Sequence, residues 1–314
     1  MELNVAFIIF NRPDTTRIVF QAIRNARPDR LFIVADGPRP NKEGEAERCA
    51  AARRIVDNGV DWPCEVHKNY SKSNLGCGLR PSSGITWVFE KVEHCIVLED
   101  DCVPDPSFFP YCQSLLAKYR DDVRVMVISG DNFQQGRQRT KYSYYFSDIV
   151  HCWGWASWRR AWQKYDGDMK MWPEIKGGNW LRDYFGNDEQ VRYWTHGFDA
   201  CMAGLDAWDY QWQFACLVNR GLCILPRVNL ISNVGCRADA THTTISGSAA
   251  ANLPSHPMQF PLLDPPFMIR DREAHQFTFS RFFRWPLPIQ LWMQVRRIPL
   301  LRVVARRLRV LTQP

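Results

Sequence analysis

Over the first 130 residues, apolar positions fall in short unbroken runs separated by stretches where they recur every three or four residues. Val5-Ala6-Phe7-Ile8-Ile9-Phe10 has strand length and no polar alternation, which marks a strand buried on both faces, and Asn11-Arg12-Pro13-Asp14 ends it. Val19, Ala22, Ile23 and Ala26 then share one helical face, with Asp14 placed to cap that helix. Leu31 to Ala35 reads as a second buried strand stopped by Asp36-Gly37-Pro38, Glu43 to Val56 as a helix, and Cys64 to Lys68 as a weaker third strand. Asn74-Leu75-Gly76-Cys77-Gly78 leads into a helix with Ile85, Val88, Phe89 and Val92 on one face. Cys95 to Leu98 runs straight into Glu99-Asp100-Asp101, and Pro104 and Pro106 stop that strand before a helix carrying Phe108, Cys112, Leu115 and Tyr119. Val123 to Ser129 is a further strand. Strands alternating with helices in this way predict a mainly parallel α/β sheet flanked by crossover helices.

Beyond Gly130-Asp131-Asn132 the two-residue periodicity fades and aromatic residues take over, with His151-Cys152-Trp153-Gly154-Trp155-Ala156-Ser157-Trp158 as the densest stretch. The organisation expected is a first half over 1–130, a second half over 131–250 that builds the other wall of a cleft, and a C-terminal extension over 251–314. The 13 Trp suit either sugar-facing walls or the core of a large fold.

Charge and cysteine content narrow the class. The formal charge is +7, but after Glu273 there is no Asp, Glu or Lys and there are eight Arg, so the basicity belongs to the tail and the body is nearly neutral. That distribution argues against a nucleic-acid groove in the body. Eleven Cys without a C-x-x-C pair, several inside apolar runs, favour reduced buried thiols over disulfides or zinc ligands. A strand starting a few residues after Met1, with no signal-peptide pattern and no run of 18 apolar residues, favours a cytoplasmic location.

Three adjacent carboxylates at the end of a buried strand repel one another unless something positive neutralises them. A divalent cation carrying phosphate oxygens is one partner and a solvated acidic turn is the alternative. The position favours the first, because ligands of open α/β sheets bind at the carboxyl ends of the strands. The glycine-bearing loop at 74–78 offers helix N-terminal N–H groups to a phosphate, or is a turn that merely needs glycine. Trp208-Asp209-Tyr210-Gln211-Trp212 sets one acid among aromatics, a setting that raises a carboxylate's pKa as a general base requires, or else Asp209 caps a helix. Asn132 and His242 lie in polar loops, as residues that touch a ligand or as ordinary polar loop residues.

The order Phe-Asn-Arg-Pro (Phe10 to Pro13), Ala-Asp-Gly (Ala35 to Gly37), Leu-Glu-Asp-Asp followed by Pro-Asp-Pro-Ser-Phe-Phe (Leu98 to Phe109), Trp-Gly-Trp (Trp153 to Trp155) and Trp-Asp-x-x-Trp (Trp208 to Trp212) resembles GT-A-fold glycosyltransferases. It is similar to the inverting N-acetylglucosaminyltransferase I type and to related bacterial nucleotide-diphospho-sugar transferases, over residues of about 4 to 245. The resemblance implies a GT-A (Rossmann-like) single catalytic domain with a C-terminal helical tail. It also implies transfer of a hexosyl or N-acetylhexosaminyl group from a nucleotide-sugar donor, a UDP-sugar above all, to a hydroxyl of a glycan or lipid-linked glycan acceptor. Residue by residue, Arg12 and Asp36 would hold the nucleotide, Asp100 would approach the sugar or ribose, Asp101 would bind Mn2+ or Mg2+, Asp209 would be the base, and His242 would lie over the donor phosphates. The competing readings are a nucleotidyltransferase that makes nucleotide sugars, against which the absence of a basic glycine-rich loop after the first strand speaks, and a non-catalytic carbohydrate-binding protein. The tail interleaves Arg281, Arg284, Arg296, Arg297, Arg302, Arg306, Arg307 and Arg309 with Trp and aliphatic residues. That pattern suits either docking on an anionic membrane surface or a helix packed on the body.

Overall fold

The computed structural model describes residues 1–235 and 252–283. Strands β1 (Asn4–Ile9), β2 (Arg30–Ala35) and β3 (Glu65–Tyr70) alternate with helices α1 (Pro13–Ala26) and α2 (Glu45–Gly59), and α3 (Gly76–Phe89) leads to β4 (His94–Glu99). The four strands pair in parallel in the order β3-β2-β1-β4. The chain therefore winds outward from β1 in one direction and then returns to its other side, so β1 and β4 flank the point where strand order reverses. Their carboxyl ends are Phe10 to Arg12 and Glu99 to Asp101.

The first half follows its apolar pattern, with small shifts at the ends. Val5, Phe7, Ile9, Leu31 and Ile33 pack on one face of the sheet with Val19, Phe20 and Ile23 of α1. Ala6, Ile8, Phe32 and Val34 pack on the other with Ile85, Val88 and Phe89 of α3. Burial of each large side chain contributes about 1.5–3 kcal/mol, and burial on both faces is why these strands show no alternation. Helix α1 is not capped by Asp14: Arg12 is its N-cap, Pro13 occupies the first turn, and Asp14 sits inside that turn. After β4 the chain forms a short β5 (Cys102–Pro104), helix α4 (Phe108–Lys118) and β6 (Val125–Ser129).

The second half does not form a separate layer. It adds β7 (Tyr144–Ser147), β8 (Trp155–Trp158) and β9 (Leu222–Pro226) to the same sheet, whose full order is β3-β2-β1-β4-β8-β6-β9-β7. β8, from the Trp-dense stretch, lies antiparallel between β4 and β6. Helices α5 (Arg159–Trp162), α6 (Trp172–Gly177), α7 (Trp180–Phe185), α8 (Asp188–Met202) and α9 (Asp209–Val218) follow β8, and a short β10 (Ile231–Asn233) pairs with β5. Most of the tryptophans are core. Trp155 and Trp212 are fully buried and cluster with Trp162 and Trp208 at centroid separations of 5.0–6.2 Å. The result is one α/β domain with a mainly parallel sheet between helices.

Of the C-terminal extension, 252–283 is described, and helix α10 (Arg272–Thr278) docks on the body. Its His275 Nδ1 meets the buried Asp148 carboxylate at 2.6 Å, Arg270 pairs with the same carboxylate, and His275 Nε2 faces Gln190 Oε1 of α8 at 3.0 Å. Arg281 lies over the Phe277 ring at 5.7 Å. The other seven tail arginines, and the membrane-docking expectation attached to them, lie outside the described residues. Among the described residues no helix is long and apolar enough to cross a membrane, and the ten cysteines are unpaired.

Burial alone would raise the Asp148 pKa, but the hydrogen bond and charge of His275, with Arg270, hold it below the ordinary carboxylate value. A carboxylate depressed in the folded state stabilises fully above its unfolded value of about 3.9 and loses that contribution as pH falls through the folded value. Asp148→Ala is expected to lower stability at pH 7 by about 3 kcal/mol, because Arg270 and His275 lose a buried partner. The difference from wild type should shrink below about pH 4. Urea denaturation of both proteins at pH 7 and pH 3 checks this, and an unchanged midpoint at pH 7 would show that α10 docks independently of Asp148.

Candidate active site

A cleft of about 530 Å3 opens at the carboxyl ends of β1 and β4. It is lined by Phe10, Arg12, Glu99, Asp100 and Asp101 from the ends of β1 and β4, by Trp153, Trp208, Asp209 and Tyr210 from later in the chain, and by Asn233 and Gly235 at the end of β10. The fold thus brings Arg12, Asp100, Asp101 and Asp209 together from three distant parts of the chain. Four carboxylates, with Arg12 as the cation, are among the lining residues.

Each acid of the triplet is held differently. Phe10 N–H, at the end of β1, donates to Asp100 Oδ2 at 3.0 Å, so the second acid ties the two central strands together at their ends. Arg12 Nη1 donates to Asp101 Oδ2 at 2.9 Å, and both side chains are 15% exposed. The Asp101 carbonyl accepts from Val234 N–H at 2.9 Å, which draws the end of β10 over the acid. A Cβ built on Gly235 would lie 1.9 Å from Asp101 Oδ2, so only glycine lets the backbone pass there. Glu99 has its pKa raised by burial, then by the charges of Asp101, Asp100 and Asp209, against the lowering pull of Arg12. Asp100 is raised in the same direction by burial and by Asp101.

Asp209 is the first residue of α9, and Tyr210 N–H donates to its Oδ1 at 3.0 Å. The expectation that its aromatic neighbours desolvate it does not hold, since Trp208 and Trp212 point into the core while Asp209 itself is exposed. The aromatics anchor the start of α9 instead. Trp153 lines the cleft, and Gly154, with φ of +61° and a would-be Cβ 2.5 Å from Ile231 Cδ1, makes the turn that sends Trp153 toward the cleft and Trp155 into the core.

Asp36 lies outside this lining. It is 5% exposed, and its carboxylate accepts from the backbone N–H groups of Gly37, Leu75 and Gly76 and from Asn74 Nδ2, at 2.8–3.2 Å. Burial raises its pKa, opposed by those backbone hydrogen bonds and the charge of Arg80. The next two amides of α3 are taken by an acid absent from the sequence expectations: Cys77 N–H and Gly78 N–H donate to the Asp206 carboxylate at 3.0 and 2.7 Å. The glycine-bearing loop is therefore not open to a phosphate in this structure, because two aspartates already hold its N–H groups. Asn132 is likewise occupied, its amide group donating to Pro226 O at 2.5 Å and its Oδ1 accepting from Gln134 N–H at 2.7 Å. His242 lies outside the described residues.

Asp206 gave two signals in the sequence: it sits three residues before Asp209, and the glycines at 76 and 78 leave room for it. Neither pairs it with α3 without the fold.

Among the described residues no group of three or more His, Cys, Asp or Glu side chains is arranged to hold a metal ion. A cation here would take one or two carboxylates from the protein and its remaining oxygens from a phosphorylated ligand or water, as hard cations at nucleotide sites do. The crowded acids, with Arg12 as their partner, fit that kind of site.

No family model matches the chain. Over 94 residues it is 32% identical to the alpha-1,3-mannosyl-glycoprotein 2-beta-N-acetylglucosaminyltransferase of Arabidopsis thaliana, a match spanning 29% of this chain and 20% of that protein. The chain thus aligns with about a fifth of that relative's length. Among solved structures, it is similar to 4-diphosphocytidyl-2C-methyl-D-erythritol synthase from Anaerococcus prevotii at a TM-score of 0.32 and 10% identity, covering 59% of this chain and 85% of the other.

Proposed function

We propose that this protein is a metal-dependent inverting glycosyltransferase that moves a sugar from a nucleotide-diphosphate donor, UDP-linked by preference, to a hydroxyl of a glycan or lipid-linked glycan acceptor. The observation that carries the reading is the cleft itself: four carboxylates and Arg12 line one cavity where strand order reverses. Such a lining repels a bare diphosphate and accepts one that arrives with a divalent cation. The partial similarity to a plant N-acetylglucosaminyltransferase supports the same class.

The roles divide by position. Asp101 would hold Mn2+ or Mg2+, which when bound neutralises negative charge on a departing nucleotide diphosphate, and Asp100 beside it would approach the sugar or ribose. Arg12, beside Asp101, would face the diphosphate. Asp209 takes the proton of the acceptor hydroxyl, which an exposed carboxylate lining the cleft is placed to do. A base that deprotonates the acceptor hydroxyl for attack opposite the leaving diphosphate would give a single displacement with inversion and no covalent intermediate. Trp153 supplies a flat apolar face against which a sugar ring packs. Asp36 acts on the nucleotide side indirectly, by holding the start of α3 beside the donor.

Incubation with a panel of UDP-, GDP- and dTDP-sugars, with and without Mn2+, should release nucleotide diphosphate in a metal-dependent way. Pyrophosphate as the product would establish nucleotidyl transfer instead, and no turnover with any donor would leave a binding protein. Asp209→Asn should bind UDP and Mn2+ as wild type does and lose transfer by about 100-fold or more. Asp101→Ala should lose the Mn2+-dependent part of UDP binding in calorimetry; normal binding by this variant would remove Asp101 from the cation site.

A further inference from the structure

We infer that Asp206 is a positioning residue, which clips the loop delivering Asp209 to the cleft onto the first turn of α3. The inference rests on the reading of Asp209 as the base. Six residues, Ala203 to Trp208, join α8 to α9. At one end Leu205 N–H returns to Ala200 O of α8 at 2.9 Å, and at the other the Trp208 ring is buried against Trp155. Leu205 and Asp206 are exposed, and Asp206 makes the hydrogen bonds that tie this stretch to α3.

The clip is two-sided. The Asp206 carboxylate accepts from Cys77 N–H and Gly78 N–H, two amides that the helix cannot satisfy internally. The Asp206 backbone carbonyl lies 2.8 Å from Cys77 Sγ, a thiol kept protonated because burial, then Asp206, push its pKa up to about 12. An anion at a helix N-terminus gains further from the helix dipole. The glycines record how close the approach is: a Cβ would lie 2.4 Å from Asp206 Oδ2 at position 76, and at position 78 it would lie 2.8 Å from Oδ1 and 2.9 Å from Ala207 O. Side chains at these two positions would push the loop off α3. Cys77, Leu205 and Ala207 all line the cleft, so the clip forms part of its wall three residues before Asp209.

A base displaced by about 1 Å from its productive position costs rate without costing donor affinity. Asp206→Ala should therefore lower kcat about tenfold while the donor KM stays within about twofold. Asp206→Asn, which keeps one acceptor oxygen, should recover part of that loss. Gly78→Ala, with Asp206 intact, should reproduce it, and the double variant Gly78→Ala/Asp206→Ala should be no worse than either single change.

Hydrogen–deuterium exchange decides whether the clip exists without reference to activity. In Asp206→Ala the amides of Cys77 and Gly78 and the peptide over 203–209 should exchange faster, while 153–162 stays as protected as in wild type. Unchanged exchange at 77–78 and 203–209 overturns the clip. Faster exchange there with wild-type kcat overturns its positioning role and leaves the proposed activity standing. If wild type turns over no donor, the activity is what has failed, and the exchange result still decides the clip.

Discussion

Three carboxylates in succession at the end of one strand cannot sit at the middle of a cleft without compensation, and much of the surrounding architecture supplies it. Asp100 is tied to the end of β1 by Phe10 N–H, and Asp101 is tied to Arg12 by charge and to Val234 through its carbonyl. β5 and β10 pair on the far side and bring Gly235 over the Asp101 carboxylate. These contacts hold the acids in place and relieve their repulsion only in part, since Glu99 and Asp100 stay raised by burial and by their neighbours. A site with that residual imbalance is complementary to a ligand that brings positive charge with it.

Negative charge is also used where a phosphate site was one of two readings. The start of α3 has the glycines and first-turn amides that suit a phosphate, yet Asp36 takes the Leu75 and Gly76 amides, and Asp206 takes those of Cys77 and Gly78. The positive end of α3 therefore joins β2 to the loop before α9. The two halves of the chain meet at this helix start as well as along the sheet.

The first half was legible because its strands are buried on both faces and its helices keep a three-to-four-residue apolar period, so each element declares itself within a few residues. β8 did not declare itself: Trp155-Ala156-Ser157-Trp158 is short, mixes large and small side chains, and owes its strand geometry to partners at 94–97 and 128–129. The acids at 99–101, Arg12 and Asp209 were legible as chemistry at the ends of elements, and the fold gathers them. Asp36 was legible as an acid past a strand, but its choice of backbone partners was not. Asp206 was missed because its partners are 128 and 129 residues away in the chain. The aromatic context of Asp209 misled for a related reason: neighbours in sequence turn to opposite sides once a helix begins.

The place of β8 has a consequence for how the molecule forms during synthesis. Strands β4 and β6 emerge first, yet they are joined through a strand made later, and β6 also pairs with β9, which begins only at Leu222. Until the Trp-dense segment arrives, the nascent chain carries one side of β4 and both sides of β6 as unpaired edges rich in Val and Ile. Such edges are open to pairing with other chains. Closure of the sheet is thus a late, long-range event of the kind that folds slowly.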